Sequence, residues 1–182
     1  LLFQPNAAKS QVPITFGTLQ ANPFGLSGAY HSHPSFADLD ADGDMDLIAV
    51  TYGEDFLPEF EYFQNTGTAT APAFAAGQIN PFGLVPVYTV TMSTSFTDLD
   101  GDGDTDLMVG DWDGNFFYYQ NTGAAAAPAF AAPLSNPYGL FEAGERSTPA
   151  FADLDGDGDM DLLTGEIYGW LHYFQNTGSA TT

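Results

Sequence analysis

The sequence contains no cysteine and almost no basic residues. Without cysteine, disulfide bonds cannot hold the fold together. Lys9 and Arg146 stand against 24 acidic residues, which gives a net charge of −22 at neutral pH. A chain that can neutralise so few phosphates is not expected to bind nucleic acid or anionic lipid. The same charge opposes a compact state, which suggests that a cation belongs to the folded protein.

Long hydrophobic runs are also missing. No apolar run approaches the roughly 18 residues that span a bilayer, so membrane insertion is not expected. The chain begins at Leu1 with no visible signal peptide, which suggests a processed mature form or a fragment of a longer protein. Hydrophobic residues nevertheless make up 44% of the 182 residues and aromatics 15%, enough for a folded domain with a sizeable core.

Three short strings recur and define an internal repeat. Asp-Leu-Asp-X-Asp-Gly-Asp-X-Asp-Leu starts at positions 38, 98 and 153, and Asn-Pro-Phe/Tyr-Gly-Leu starts at 22, 80 and 136. The string aromatic-Gln-Asn-Thr-Gly starts at 63, 119 and 174, and Phe3-Gln4 is a degenerate fourth copy of it. The first unit is four residues longer, within 53–59, which indicates an enlarged hairpin tip.

Each unit has the pattern of short strands and no sustained helical period. One strand leads into the Asp-rich loop and a second leaves it; an aromatic strand follows a Gly-bearing turn. A fourth strand is expected near residues 72–74 and 128–130. Four strands per 55 to 60 residues is the size of a propeller blade. The predicted fold is all-β, with three tandem four-stranded propeller-type blades, incomplete as a closed ring because closed propellers have about four to eight blades.

The Asp-rich loops have the chemistry of a cation site. In the second loop, side chains at positions 1, 3 and 5 converge on one point, and Gly103 at position 6 permits a sharp turn. Position 7 can offer its backbone carbonyl, and Asp106 at position 9 can close the shell. Oxygen ligands in this number suit Ca²⁺ better than zinc or copper. An EF-hand is excluded because position 12 is Ala49, Val109 or Thr164 rather than Glu.

The loops and their flanks resemble the FG-GAP/VCBS repeat, the unit of integrin α-subunit-type β-propellers. The segment Phe-Ala-Asp-Leu-Asp-Gly-Asp-Gly-Asp-Met-Asp-Leu-Leu-Thr-Gly at 151–165 carries the resemblance most plainly. It implies one Ca²⁺ in the loop between the first two strands of each blade, three in all. The implied side-chain ligands are Asp38, Asp40, Asp42 and Asp46; Asp98, Asp100, Asp102 and Asp106; and Asp153, Asp155, Asp157 and Asp161. The implied carbonyl ligands are Asp44, Asp104 and Asp159.

The predicted organisation is a leading segment followed by three blades. Residues 1–33 supply leading strands and a linker that complete a neighbouring blade. The blades are residues 34–76 with calcium loop 38–46, residues 94–132 with loop 98–106, and residues 149–182 with loop 153–161. The third blade lacks its last strand, whereas Val12–Phe16 resembles such a strand and is spare. This favours a homo-oligomeric ring, a head-to-tail filament, or a cut from a longer propeller.

Other residues offer weaker candidate sites. His31-Ser32-His33 is not repeated in the other units, so an ordinary strand start is favoured over a transition-metal site. Trp112 and Trp170 could stack on sugar rings, although packing between blades is the commoner role. Ala41 replaces the usual Gly at position 4 of the first loop, a change expected to matter little. No nucleophile lies beside a base in the pattern, so an enzyme is not predicted.

The leading hypothesis is a calcium-stabilised extracellular module with a structural or adhesive role. It would assemble with copies of itself or bind another surface protein or a glycan. An extracellular or cell-surface location is expected because calcium sites of extracellular modules are weak, with Kd on the order of 10⁻⁴–10⁻³ M. The alternatives are a carbohydrate-binding propeller lectin and a non-catalytic fragment of a larger secreted protein.

Overall fold

The computed structural model describes residues 16–27, 30–89 and 92–178. Within these ranges the chain is all-β, as predicted, and forms three antiparallel sheets of four, four and three strands. None of the sheets closes on itself in the described ranges. The predicted leading strand at Phe3-Gln4 and the segment Val12–Thr15 lie outside the described residues.

The strands follow one another in chain order within each sheet. Sheet 1 contains β1 (Tyr30–Ala37), β2 (Asp46–Tyr52), β3 (Pro58–Phe63) and β4 (Gln78–Ile79). Sheet 2 contains β5 (Ser93–Thr97), β6 (Asp106–Gly110), β7 (Phe116–Tyr119) and β8 (Leu134–Ser135). Sheet 3 contains β9 (Thr148–Ala152), β10 (Asp161–Gly165) and β11 (Leu171–Phe174).

The sheets lie side by side, and their first strands are neighbours. Strand β1 contacts β5, and β5 contacts β9. The Ser35 hydroxyl donates to the Thr94 carbonyl at 2.9 Å, which joins β1 to β5. The central strand β6 is buried along its whole length, which accounts for the apolar run Leu107–Val109. The core therefore lies between sheets, in one cluster between sheets 1 and 2 and a second between sheets 2 and 3.

The fourth strands are not where the sequence pattern placed them. Residues 72–74 and 128–130 make only single bridges, through Phe74 and Phe130. The Phe74 amide donates to the Phe24 carbonyl, and the next amide, of Ala75, donates to Gln64. Neither segment extends its single bridge into a ladder. The fourth strands are instead β4 and β8, four residues beyond each Phe.

The Asn-Pro-Phe/Tyr-Gly-Leu string closes the edge of each four-stranded sheet. Asn80 has a left-handed backbone with φ of 48°, a conformation that Asn tolerates well. Its amide donates to the Phe60 carbonyl at 2.7 Å, and its side-chain oxygen accepts from the Phe60 amide at 2.9 Å. Asn136 makes the same pair of bonds with Phe116. This string therefore holds β4 and β8 in register.

Sheet 3 has no fourth strand among the described residues, so β11 is its edge. No helix in the part of the chain that the structure describes is both long and apolar enough to cross a membrane.

Candidate metal centres

The three Asp-rich loops connect the first two strands of each sheet and bring carboxylates together. In each loop, one oxygen from each of three aspartates lies within 4.8 Å of the others. The clusters are Asp38, Asp40 and Asp42 in the first loop; Asp98, Asp100 and Asp106 in the second; and Asp153, Asp155 and Asp157 in the third. Carboxylates this close repel one another, and a bound cation would relieve that repulsion.

Aspartate side chains themselves shape the turn. In the second loop, Asp98 accepts from the amides of Gly101 at 2.7 Å and Gly103 at 3.0 Å. Asp100 accepts from the Asp102 amide at 3.3 Å. Gly103 has φ of 97°, a conformation that a side chain would strain. The carboxylates at positions 1 and 3 are thus fixed by local hydrogen bonds while their remaining lone pairs stay available.

The first loop differs at position 4. Ala41 has φ of 56°, in the left-handed region that Gly101 and Gly156 occupy in the other two loops. An L-residue in this region costs roughly 1–2 kcal/mol. Asp38 accepts here from the Asp42 amide at 3.2 Å, whereas Asp98 accepts from residue 101. The replacement of Gly by Ala therefore has a conformational cost and changes a turn hydrogen bond, contrary to the expectation of little effect.

The position-9 aspartates are buried anchors. Asp46 accepts hydrogen bonds from the Asn65 amide at 2.7 Å, the Tyr62 hydroxyl at 3.0 Å and the Leu39 amide at 3.2 Å. Asp106 and Asp161 make the same three bonds in their own units. Of the three, only Asp106 also falls in a carboxylate cluster. These residues tie the loop to the third strand of each sheet.

The Gln-Asn pair of the third repeated string supports the loop, a role that the sequence pattern did not reveal. The Gln64 side chain donates to Asp40 at 2.7 Å, and Gln120 donates to Asp100 at 2.7 Å. Gln175 makes the same contact with Asp155. The separations from Gln to Asp are 24, 20 and 20 residues, and the four-residue excess equals the insertion in the first unit. That matched spacing is the signal from which the contact could have been found.

The position-7 aspartates carry the most unusual feature of the loops. Asp44, Asp104 and Asp159 are only 6%, 8% and 5% exposed. In each, the buried oxygen Oδ1 has no hydrogen-bond partner. A buried carboxylate oxygen without a partner costs considerable free energy, and native structures contain few of them. The same unpartnered oxygen recurs in all three loops, each of which could hold a metal ion.

The pKa values of these position-7 aspartates are raised. Burial, followed by the charges of Asp102 and Asp106, raises the pKa of Asp104 to about 6. The hydrogen bond with Asp157, together with burial, raises the pKa of Asp159 to about 6. Burial and the charges of Asp42 and Asp40 raise the pKa of Asp44 above its ordinary value. In each loop, the neighbouring carboxylates thus disfavour ionisation of the position-7 carboxyl group.

The donor set fits a hard divalent cation. Every side-chain donor in the three clusters is a carboxylate oxygen, with no nitrogen or sulfur donor among them. Such a set suits calcium, magnesium or manganese and disfavours zinc and copper. The three loops could each hold a metal ion.

The two tryptophans have different environments. Arg146 lies over the Trp112 ring at 4.1 Å, so this ring is already engaged in a cation–π contact. Trp170, in the turn before β11, is exposed. Carbohydrate binding at these rings stays a prediction.

Comparison with known proteins matches part of the chain to one family. Residues 98–164 match the model of the FG-GAP-like repeat, a range that runs from the second loop to the penultimate residue of β10. The resemblance seen in the sequence is therefore confirmed for this segment. This is a structural, non-enzymatic repeat type. No curated protein matches the chain significantly.

Proposed function

Because residues 98–164 are an FG-GAP-like repeat, we propose that the chain is a structural module whose sheets are stabilised by three calcium ions, one in each Asp-rich loop. The observation that carries this proposal is the buried, unpartnered oxygen of Asp44, Asp104 and Asp159 beside each carboxylate cluster. One such oxygen could be an accident of packing. Three in register, each facing several carboxylates, indicate a common cation site.

Calcium is the hard cation that this loop suits best. It accepts six to eight oxygen ligands in flexible geometry, whereas magnesium demands a near-ideal octahedron and keeps several waters. Each loop supplies five aspartates and backbone carbonyls within nine residues, a dense and irregular oxygen set. Three bound ions would change the net charge from −22 to −16. That reduction relieves both the local repulsion in each loop and the repulsion across the chain.

The ion would act on folding through the residues that surround it. Gln64 connects the position-3 carboxylate to the residue just after β3, and Asn65 connects the position-9 carboxylate to the same place. A cation in the loop would therefore fix β1, β2 and the end of β3 relative to one another. Binding energy available only in the folded state is folding energy.

We further assign a propeller-type arrangement and an extracellular location to this module. The side-by-side contacts of β1, β5 and β9 support the first, because first strands meet at the centre of a propeller. The second is supported by the typical occurrence of FG-GAP repeats in extracellular proteins. Extracellular calcium also suits sites with Kd on the order of 10⁻⁴–10⁻³ M.

Calcium titration tests the proposal. Isothermal titration of the metal-free chain is expected to give three Ca²⁺ per chain, with magnesium competing poorly because it sheds its waters reluctantly. Zinc serves as the negative control, since the loops lack nitrogen and sulfur ligands. A stoichiometry of zero, or saturation by zinc in preference to calcium, would contradict the proposal.

A further inference from the structure

An apolar cavity of about 580 Å³ lies between sheets 2 and 3. Its wall is formed by Leu99, Met108, Leu140, Phe151, Leu162 and Phe174. Tyr138 and Asn176 also line it. The cavity is open to solvent, so it presents these large apolar side chains to water.

The corresponding space between sheets 1 and 2 is filled by Phe130. The repeat makes Leu39 and Ile48 the counterparts of Leu99 and Met108, and Leu107 and Tyr119 the counterparts of Leu162 and Phe174. All four of these counterparts belong to the core cluster that contains Phe130, which is 6% exposed. The cavity between sheets 2 and 3 thus corresponds to the position that Phe130 fills between sheets 1 and 2.

The hydrogen-bond acceptors that hold the Phe130 segment also have counterparts in sheet 3. The Phe130 amide donates to the Phe82 carbonyl at 2.8 Å, and the preceding amide donates to the Asn121 side chain at 2.9 Å. In sheet 3 the corresponding acceptors are the Tyr138 carbonyl and the Asn176 side chain. No amide among the described residues takes either place, although Gly178 donates to Asn176.

The outer face and edge of sheet 3 are likewise uncovered. Phe116 and Tyr118 of β7 are almost fully buried, packed in the cluster between sheets 2 and 3. Their counterparts in β11, Leu171 and Tyr173, are 71% and 47% exposed. Strand β7 is paired on its outer side with β8, whereas β11 has no such partner in the described structure. Sheet 3 therefore presents an apolar face and an open strand edge together.

An exposed segment near the start of the sequence has the register of the fourth strands of sheets 1 and 2. Phe16 lies six residues before Asn22, as Phe74 does before Asn80 and Phe130 before Asn136. Gln20 and Ala21 correspond in the same way to the strands β4 and β8. Phe16 is 94% exposed, and all residues from 16 to 22 are exposed. A large aromatic side chain in water next to a segment with unused strand register indicates a docking element.

We propose that residues 16–22 of a second copy of this chain complete sheet 3. Phe16 of that copy enters the cavity beside Phe174, and its Gln20-Ala21 pairs with β11 as a fourth strand. Sheet 1 of the second copy follows this segment and covers Leu171 and Tyr173 of the first copy. The copies therefore join head to tail, and they either close into a ring or continue as a filament. The inference rests on the proposed calcium role only in that bound ions keep the sheets folded.

Cysteine cross-linking tests the register directly, because the native chain has no cysteine. In sheets 1 and 2, Glu61 is paired with Ile79 and Phe117 with Ser135. The corresponding pair at the proposed contact is His172 with Ala21 of the second copy. Mixing the single variants Ala21→Cys and His172→Cys in calcium is expected to yield a disulfide-linked dimer, since directly paired residues have the spacing that a disulfide needs. Ala21→Cys mixed with Tyr168→Cys, an exposed turn residue of the same hairpin, is the matched control and is expected to cross-link far less.

Sedimentation of the full chain in calcium provides the second measurement. Phe16→Ala is expected to weaken association by at least about a hundredfold, because it removes a whole buried aromatic side chain. Leu19→Ala is the control: Leu19 is equally exposed, but its counterparts Gly77 and Pro133 lie outside both core clusters, so no change is expected.

Several results would overturn the inference. These are a native chain that stays monomeric in calcium, equal association of Phe16→Ala and the native chain, and equal cross-linking of the paired and control variants. A disulfide formed only within single chains of an Ala21→Cys/His172→Cys double variant would also overturn it, in favour of closure within one chain. A chain that binds three calcium ions but remains monomeric refutes only this inference. A chain that cross-links as expected but binds no calcium refutes only the proposed function.

Discussion

Removal of calcium is expected to lower the melting temperature by roughly 15–30 °C. One site at a ligand concentration of a hundred times Kd contributes about 2.7 kcal/mol, so three sites contribute about 8 kcal/mol. In a chain of this size, each kcal/mol changes the melting temperature by about 2–4 °C. The effect is large because the loops are poorly stable without a cation, with a buried, unpartnered carboxylate oxygen in each.

Scanning calorimetry in excess calcium and in excess EDTA measures this change, with magnesium added to the EDTA sample as the control for ionic strength. Agreement of the two melting temperatures within about 2 °C, the change expected for less than 1 kcal/mol, would contradict a stabilising role of the ions.

The melting temperature of the metal-free chain is expected to depend on pH. The pKa values of Asp104 and Asp159 are about 6 in the folded, metal-free chain, above the ordinary value of 3.8. The folded state therefore binds protons more tightly than the unfolded state, and this contribution to stability is lost as pH rises through about 6. In EDTA, the melting temperature is expected to rise as pH falls from neutral toward about 5. In calcium, protons compete with the ion for the carboxylates. The difference in melting temperature between the calcium and EDTA samples is therefore expected to narrow as pH falls.

The substitution Asp102→Ala is expected to remove one calcium ion and about 5–10 °C of melting temperature, the loss of roughly one site's contribution. Asp102 occupies position 5 of the second loop, and its carboxylate also accepts from the Asp104 amide at 3.1 Å. Asp113→Ala is the matched control, because this aspartate lies exposed in the turn between β6 and β7 of the same sheet, away from the loop. It is expected to change the melting temperature by no more than about 2 °C, as surface substitutions do.

Calorimetry and calcium titration of both variants make the comparison. In EDTA, the difference between Asp102→Ala and the native chain is expected to shrink or reverse, because the substitution removes a repelling charge. Equal losses from the two substitutions in calcium, or three calcium ions still bound by Asp102→Ala, would contradict the assignment of Asp102 to a metal site.

The loops and strands were predictable because they depend on local pattern. Gly103 at position 6 and alternating aspartates are recognisable within nine residues, and the recurrence of the string established the repeat. The structure places three aspartates of every loop together, in agreement with that pattern. It also places Trp112 under Arg146, a contact between units that no local pattern indicates.

Features that depend on distant contacts were not predictable in the same way. Gln64 reaches Asp40 only because the β2–β3 hairpin returns the chain to the loop. The segment around Phe74 has strand-like composition, yet it makes only a single bridge, and the fourth strand begins at Gln78. The buried oxygen of Asp104 could not be foreseen either, because burial is set by the packing of the whole unit.

The central claim is that each Asp-rich loop holds a calcium ion, and a crystal structure of the full chain grown in calcium tests it most directly. Anomalous difference density is expected at three points, one among the carboxylates of each loop, with oxygen ligands at about 2.3–2.6 Å. Well-ordered loops without density at those points, or density surrounded only by water, would contradict it.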